Sequence, residues 1–367
     1  MNTFDYLSSF NNNRHTDLNI IREIDSLLST EDIDVRFIPF GCQQESIDWI
    51  NSISVKDRQV VLQWKSNRLS LYLLNYKYKE NGKEIIANGK FFVLRDSEYS
   101  DSYVAITIES SKFYRRALLP FIQSLYPKLL LTFITHKKMR RLLEQFIQKD
   151  ESYNIIITRA SQRLRFQEDP KGRHVMPMVS WPSMSLEDSF QWVYDHNGWF
   201  ESLSFDVKVN NQLISGISFS RRGLIKANGL IEEVYQSFIK PVTKTLHENI
   251  EFFSHRSRLD RPDLSPRPIV VQFDDDQFAD IGENQRFISS LRRMNSASIS
   301  VLHGNPYLHV SILDYLDGSA FDLWILEQQK LVIVPQLQVS VAAIKRLINH
   351  IYDNYAEGNL GNYQEGY

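Results

Sequence analysis

The chain has 367 residues, of which 43% are hydrophobic and 23% charged, with 42 Lys+Arg against 44 Asp+Glu and a formal net charge of -2. That length supports two or three domains, each with its own core, and 14 Gly, 12 Pro and 12% aromatic residues exclude collagen-like, low-complexity and globally disordered chains. The single cysteine, Cys42, excludes an intramolecular disulfide framework and a Cys-rich zinc module, and no basic n-region with an apolar h-region or long apolar run is present, so a cytoplasmic protein outside the membrane is expected.

The near-zero total hides an uneven distribution. Residues 1–110 carry a net -4, residues 111–267 a net +8 and residues 268–367 a net -6. A basic segment between acidic ones is the electrostatic footprint that a polyanion site leaves in a sequence, and also what a set of solvated helix faces leaves.

In chain order, Leu18, Ile21, Ile24, Leu27 and Leu28 recur at helical spacing over Asp17–Leu28, and Val35–Pro39 reads as a short strand. Residues 59–126 alternate four times in strand fashion, at Gln59–Trp64, Leu69–Tyr78, Glu84–Arg95 and Ser102–Glu109, before an amphipathic helix over Ser111–Leu125 that stops at Pro127. Asn81-Gly82 between the second and third strands is a hairpin signal, because both residue types tolerate positive φ. Met139, Leu142, Leu143 and Phe146 form the next helical stripe, with Lys137, Lys138, Arg140 and Arg141 toward water. Gln167 to Ser185, with Pro170, Gly172, Pro177 and Pro182, reads as a long loop or linker, and a helix follows at Leu186–Asp195.

Strands at Glu201–Val209 and Leu213–Ser220 and a helix at Leu230–Leu246 make a shorter sheet-then-helix unit at 199–246. Three prolines, Pro262, Pro266 and Pro268, then interrupt regular structure. Beyond them come a strand at Ile269–Phe273 and a helix near Gly282–Met294. Four strands follow at Ser298–Leu302, Tyr307–Tyr315, Ala320–Glu327 and Lys330–Val334, and a helix at Val339–Tyr355 closes the segment. Strands arriving in runs, each run covered by a helix, indicate an α+β fold of antiparallel sheet-plus-helix modules, at 59–126, 199–246 and 298–355. The expected organisation is an N-terminal domain at 1–150, a basic middle segment at 151–258, a proline-rich linker at 259–268 and a C-terminal domain at 269–367.

The sequence lacks a Gly-Lys-Ser/Thr phosphate loop, a Gly-x-Gly-x-x-Gly turn, His-Glu-x-x-His and a Gly-x-Ser-x-Gly elbow, which weighs against P-loop, Rossmann, zincin and α/β-hydrolase enzymes. Three weaker constellations remain. Arg221-Arg222-Gly223 at a strand end, with Lys226, presents guanidinium forks and backbone donors suited to phosphate, and Arg256 and Arg258 extend the set as nucleic-acid contacts. Asp206-Val-Lys208 fits the tripeptide of a metal-dependent nuclease strand, although the period of two places it on the solvent face opposite Leu203, Phe205 and Val207. His303, His309 and Asp314 can be read as divalent-metal ligands, although strand periodicity and the Gly304-Asn305-Pro306 turn explain them equally. Asp274-Asp275-Asp276 and Asp280 are read as a strand end and a helix start.

These readings rank a non-catalytic binding or adaptor protein first, its basic middle segment engaging an acidic partner, with nucleic acid as one such partner and with no cofactor. A metal-dependent hydrolase or nuclease ranks second, and a structural subunit of a larger complex third.

Overall fold

The computed structural model describes residues 17–28, 33–43, 47–80, 82–164, 167–168, 174–175, 178–181, 184–195, 198–258, 265–304 and 307–363. They form an α+β structure of two compact units, which divide at His247/Glu248. The proline-rich residues 259–264 lie outside the described residues, as do Asn81, Pro170, Gly172, Pro177 and Pro182.

In the first unit, helix α1 (Asp17–Leu28) leads into β1 (Val35–Cys42), and the short β2 (Ser54–Val55) into the meander β3 (Arg58–Lys65), β4 (Leu69–Glu80), β5 (Lys83–Arg95) and β6 (Ser102–Thr107). Helix α2 follows as Ser111–Phe113 and Leu119–Ser124 joined by the π turn Tyr114–Leu118, then β7 (Leu129–Leu131) and helix α3 (His136–Ile147). Strand β8 (Asn154–Leu164) comes next. The stretch expected to be a long loop or linker holds, among the described residues, four short strands, β9 (Gln167–Glu168), β10 (His174–Val175), β11 (Met178–Trp181) and β12 (Met184–Ser185); the last two pair with β8. Helix α4 (Leu186–Asp195), strands β13 (Gly198–Val209), β14 (Gln212–Ser220) and β15 (Ile225–Asn228), and helix α5 complete the unit. Helix α5 is built as Ile231–Val234, the π turn Tyr235–Ile239 and Lys240–Ser254.

One sheet in the order β11-β8-β13-β14-β15-β1-β6-β5-β4-β3-β2 runs through this unit. Strand β1 joins the two meanders, with Phe37 opposite Ile225 on one side and Ile106 on the other. The division drawn near residue 150 from the sequence therefore falls inside one continuous sheet. Both faces are covered. Phe92 and Leu94 of β5 pack with Ile21 and Ile24 of α1, Leu142 and Phe146 of α3 and Phe238 of α5, while Phe91 and Val93, pointing the opposite way, pack with Phe113, Leu118 and Phe121 of α2. Cover on both sides explains why β1 and β6 are buried along their whole length, without the polar alternation of a half-exposed strand.

Two prolines and a glycine show how sequence dictates this packing. In α2 and α5 a proline stands six residues after a tyrosine, Tyr114 to Pro120 and Tyr235 to Pro241. Proline has no N–H to donate and its ring crowds the carbonyl four residues back, so the helix widens: the N–H of Leu119 bonds to Tyr114 O and that of Lys240 to Tyr235 O, five residues back in each case. Gly89 is required for a different reason. A Cβ there would lie 2.4 Å from the Phe113 ring, so only glycine lets α2 settle on β5. Gly89→Val is expected to destabilise the protein by about 2 to 3 kcal/mol through overpacking, which urea unfolding will measure.

The second unit carries the C-terminal part of α5, β16 (Ile269–Gln272), helix α6 (Ile281–Leu291), the meander β17 (Ala297–His303), β18 (Leu308–Asp314), β19 (Ala320–Glu327) and β20 (Lys330–Pro335), helix α7 (Val341–Asn354) and β21 (Asn359–Asn362). Its sheet order is β17-β18-β19-β20-β16-β21, all antiparallel. The last meander strand turns back to pair with the strand that precedes the meander, as β6 does with β1. Alternate residues Leu308, Val310 and Ile312, with Phe321, Leu323, Leu331 and Ile333, are buried, as is one side of α7 at Ile344, Leu347, Ile348 and Ile351. Asp280 starts α6 as its N-cap, its carboxylate accepting the N–H of Glu283 at 2.9 Å, and Asp276 accepts from Gln329. The acidic run thus ends a strand and begins a helix.

Among the described residues no helix is long and apolar enough to cross a membrane.

Candidate anion-binding cleft

The structure separates the cations that the sequence grouped. Arg221 is fully buried, at 1% exposure. Its guanidinium lies over the rings of Phe133 and Trp199, 4.6 and 5.3 Å from their centroids, and 3.5 Å from Glu201 Oε1. Next to it, burial and then the Arg221 charge push the His136 imidazole down to about 4, so this histidine is neutral, and its Nδ1 accepts the N–H of Phe200. Arg221 is accordingly an interior packing residue, withdrawn from the phosphate-facing surface that the Arg-Arg-Gly turn suggested. The reason is its place in the strand alternation: Phe219 and Arg221 point inward and Arg222 outward. Lys226 is engaged with Asp34 at 3.0 Å, and Asp34 also takes Arg36 at 2.8 Å. Two further basic residues also have carboxylate partners, Lys112 with Glu80 and Arg140 with Glu144. Arg165, Lys171, Arg173 and Arg261 lie outside the described residues.

Asp206 and Lys208 lie half-buried on one face of β13, and no group of three or more His, Cys, Asp or Glu able to hold a metal occurs among the described residues. His303 and His309 do meet, as direct cross-strand partners on β17 and β18. The third member does not join them. Asp314 is buried at the far end of β18, where Arg346 Nε donates to it at 2.6 Å. The acid beside His309 is Asp322, 3.6 Å away, and the imidazole is stacked on Trp324 with centroids 3.8 Å apart. This histidine is thus held by an aromatic ring and a carboxylate within the sheet face.

Arg256 and Arg258 belong to the second unit. The Arg258 N–H is bonded to Val339 O, and its side chain does not line the cleft described here. Arg256 does. It stands just past the end of α5 and lines a cleft of about 630 Å³ together with Glu248, Glu251, Phe252 and His255 from the helix, Pro266, Arg267 and Pro268 from the approach to β16, and Asn362 and Tyr363 from β21. A helix repeat brings Glu248, Glu251, Phe252 and His255 to one side, since three- and four-residue steps share a face.

Arg256 is only 7% exposed, and its guanidinium stacks on the Phe252 ring at 3.4 Å. Nη1 donates to Phe252 O, one of the terminal helix carbonyls, and Nη2 donates to Asn362 Oδ1. Among the described residues Nε has no acceptor and no carboxylate pairs with the group. Burial, and then the charge of Arg267, pull its pKa down to about 10. Arg267 itself is exposed at the mouth, held between two prolines. The arrangement is thus a buried cation without a carboxylate partner among the described residues, with a second cation lining the same cleft.

Sequence reading found Arg256 as a basic residue and missed Asn362 and Phe252. Pro266-Arg267-Pro268 was the available signal, because prolines on both sides fix the direction of the chain that carries the arginine. Compared with protein-family models and with the curated proteins, the chain matches none.

Proposed function

We propose that the protein is a non-catalytic binding or adaptor protein that engages an acidic partner, and that the Arg256–Arg267 cleft seats the partner's acidic group. The observation that carries this reading is the Arg256 guanidinium, more than nine-tenths buried, with an unsatisfied Nε and no carboxylate partner among the described residues. A carboxylate or phosphate entering the cleft would offset the repulsion between the two arginines and give the desolvated Arg256 charge a counter-ion. Glu248 and Glu251 line the same cleft, so a long polyanion would meet like charge a turn or two along the helix, whereas one acidic side chain would not. This favours an acidic protein segment over nucleic acid.

The test is fluorescence anisotropy with a labelled acidic octapeptide and a single-stranded oligonucleotide of equal charge. Arg267→Ala, at an exposed position where folding is undisturbed, is expected to weaken peptide binding about five- to tenfold, the value of one charge-assisted hydrogen bond, and to lower the salt dependence. Equal binding by parent and variant would remove the cleft from the reading, and tighter binding of the oligonucleotide would reassign the partner to nucleic acid.

A further inference from the structure

Strand β21 is the terminal strand of the six-stranded sheet, paired to β16 alone among the described residues, so one row of its backbone N–H and C=O groups is open. The edge lacks the devices that blunt such strands. Asn359-Leu360-Gly361-Asn362 contains no charge and no proline, its register with β16 is unbroken, and nothing lies within 4 Å of where a Gly361 Cβ would stand. The open edge also ends inside the cleft. Asn362 at its last position accepts a hydrogen bond from Arg256, and Tyr363 lines the wall.

Taking the acidic-partner reading as its premise, we infer that the partner enters as an extended peptide that adds a strand to the free edge of β21 and points an acidic side chain at Arg256 and Arg267. An added strand gains main-chain hydrogen bonds irrespective of sequence, and the cleft reads one side chain of it. Four residues of β21 span roughly 13 Å, enough to pair a peptide of four or five residues. The open backbone row favours a polypeptide over a small anion, because a free phosphate or carboxylate would use the arginines and leave the edge unpaired.

The experiment uses the full chain and acetylated, amidated pentapeptides Thr-Val-Xaa-Val-Thr, with Xaa as Glu, phosphoserine, Gln or Lys, and with single N-methyl groups placed at each position of the Glu peptide. Binding is followed by NMR shifts and hydrogen exchange of the amides of residues 359–363. The expected result is that the Glu and phosphoserine peptides bind and protect these amides, and that Gln and Lys bind at least about tenfold more weakly, the value of losing the charge on a paired anion. N-methylation is expected to abolish binding at alternate positions only, since every second N–H of an added strand faces its neighbour. Binding that tolerates N-methylation throughout, and that Arg267→Ala still weakens, would overturn strand addition while leaving the anion cleft in place. No shift with any peptide at about tenfold above the millimolar range expected of so small an interface would overturn both.

Discussion

Lys240→Met is expected to cost about 3 to 5 kcal/mol. Lys240 Nζ lies 2.6 Å from Asp17 of α1, 3.3 Å from Asp96 and 3.4 Å from Glu98 in the turn after β5. Asp17 and Asp96 are buried, at 2% and 4% exposure, and each is further bonded: Tyr235 donates to Asp17 at 3.0 Å and Thr243 to Asp96 at 2.9 Å. Removing the ammonium leaves two carboxylates inside the protein without their counter-ion, and that penalty exceeds the packing gained from methionine. Burial alone would raise the Asp17 pKa, but the Lys240 hydrogen bond and charge, with Ser97 and Tyr235, hold it below the ordinary carboxylate value. For Lys240, burial lowers the pKa while Asp17 and the other acids raise it, and the net result lies above the ordinary lysine value. The signs follow. The Asp17 contribution is complete above the unfolded carboxylate pKa and disappears as pH falls through the lower folded one. The Lys240 contribution is complete below the unfolded lysine pKa and disappears as pH rises through the higher folded one. Urea unfolding from pH 3 to 11 should therefore show parent stability falling at both ends, with Lys240→Met shallower at both. A variant as stable as the parent at pH 7 would show that this cluster contributes nothing.

The elements with strong periodicity were legible. Ala320–Glu327 has the bounds that its alternation predicts, and the helix expected over Val339–Tyr355 is found at Val341–Asn354. What was not legible had either no period or a competing signal. Strand β15, Ile225–Asn228, is four residues long and follows a turn, so its alternation of Ile225 and Ala227 is too brief to stand out. Strand β8 has Ile155 and Ile157 inward but Thr158, Arg159 and Ser161 along its length, and its pairing with β13 contains two irregularities that disturb the period of two. The helices expected over Ser111–Leu125 and Leu230–Leu246 carry no sign of a π turn in their apolar spacing, which does not reveal that Pro120 and Pro241 replace a four-residue bond with a five-residue one. At the cleft, the charge of Arg256 was visible but its burial was not. Burial depends on Asn362, more than a hundred residues along the chain, and on the fold that brings β21 beside β16. Arg221 shows the converse: a turn-like Arg-Arg-Gly sequence suggested exposure, and the strand alternation placed the first arginine inside.

The same principle, that a charge is set by its surroundings more than by its residue type, makes Lys345 the position where the protein can be stabilised. Lys345 lies on α7 between Ile344 and Arg346, is 5% exposed, and its Nζ has no hydrogen-bond partner among the described residues. Burial pushes its pKa down to about 7. Between that value and the ordinary lysine pKa the unfolded chain binds a proton that the folded chain does not. Parent stability should therefore rise with pH across this window, by at most about 1.4 kcal/mol per pH unit, and be lowest below pH 7, where the ammonium is buried. Lys345→Met keeps the length of the side chain and removes the charge. It is expected to stabilise the protein by about 2 kcal/mol at pH 6 and to flatten the profile between pH 6 and 9, so that the two proteins converge toward the alkaline end. Denaturant midpoints of both proteins at pH 6, 7.5 and 9 measure this directly. A parent that is equally stable at pH 6 and 9, or a variant less stable at pH 6, would mean that the ammonium finds a polar partner in the folded state; the opposite slope would mean that it is held by an acid.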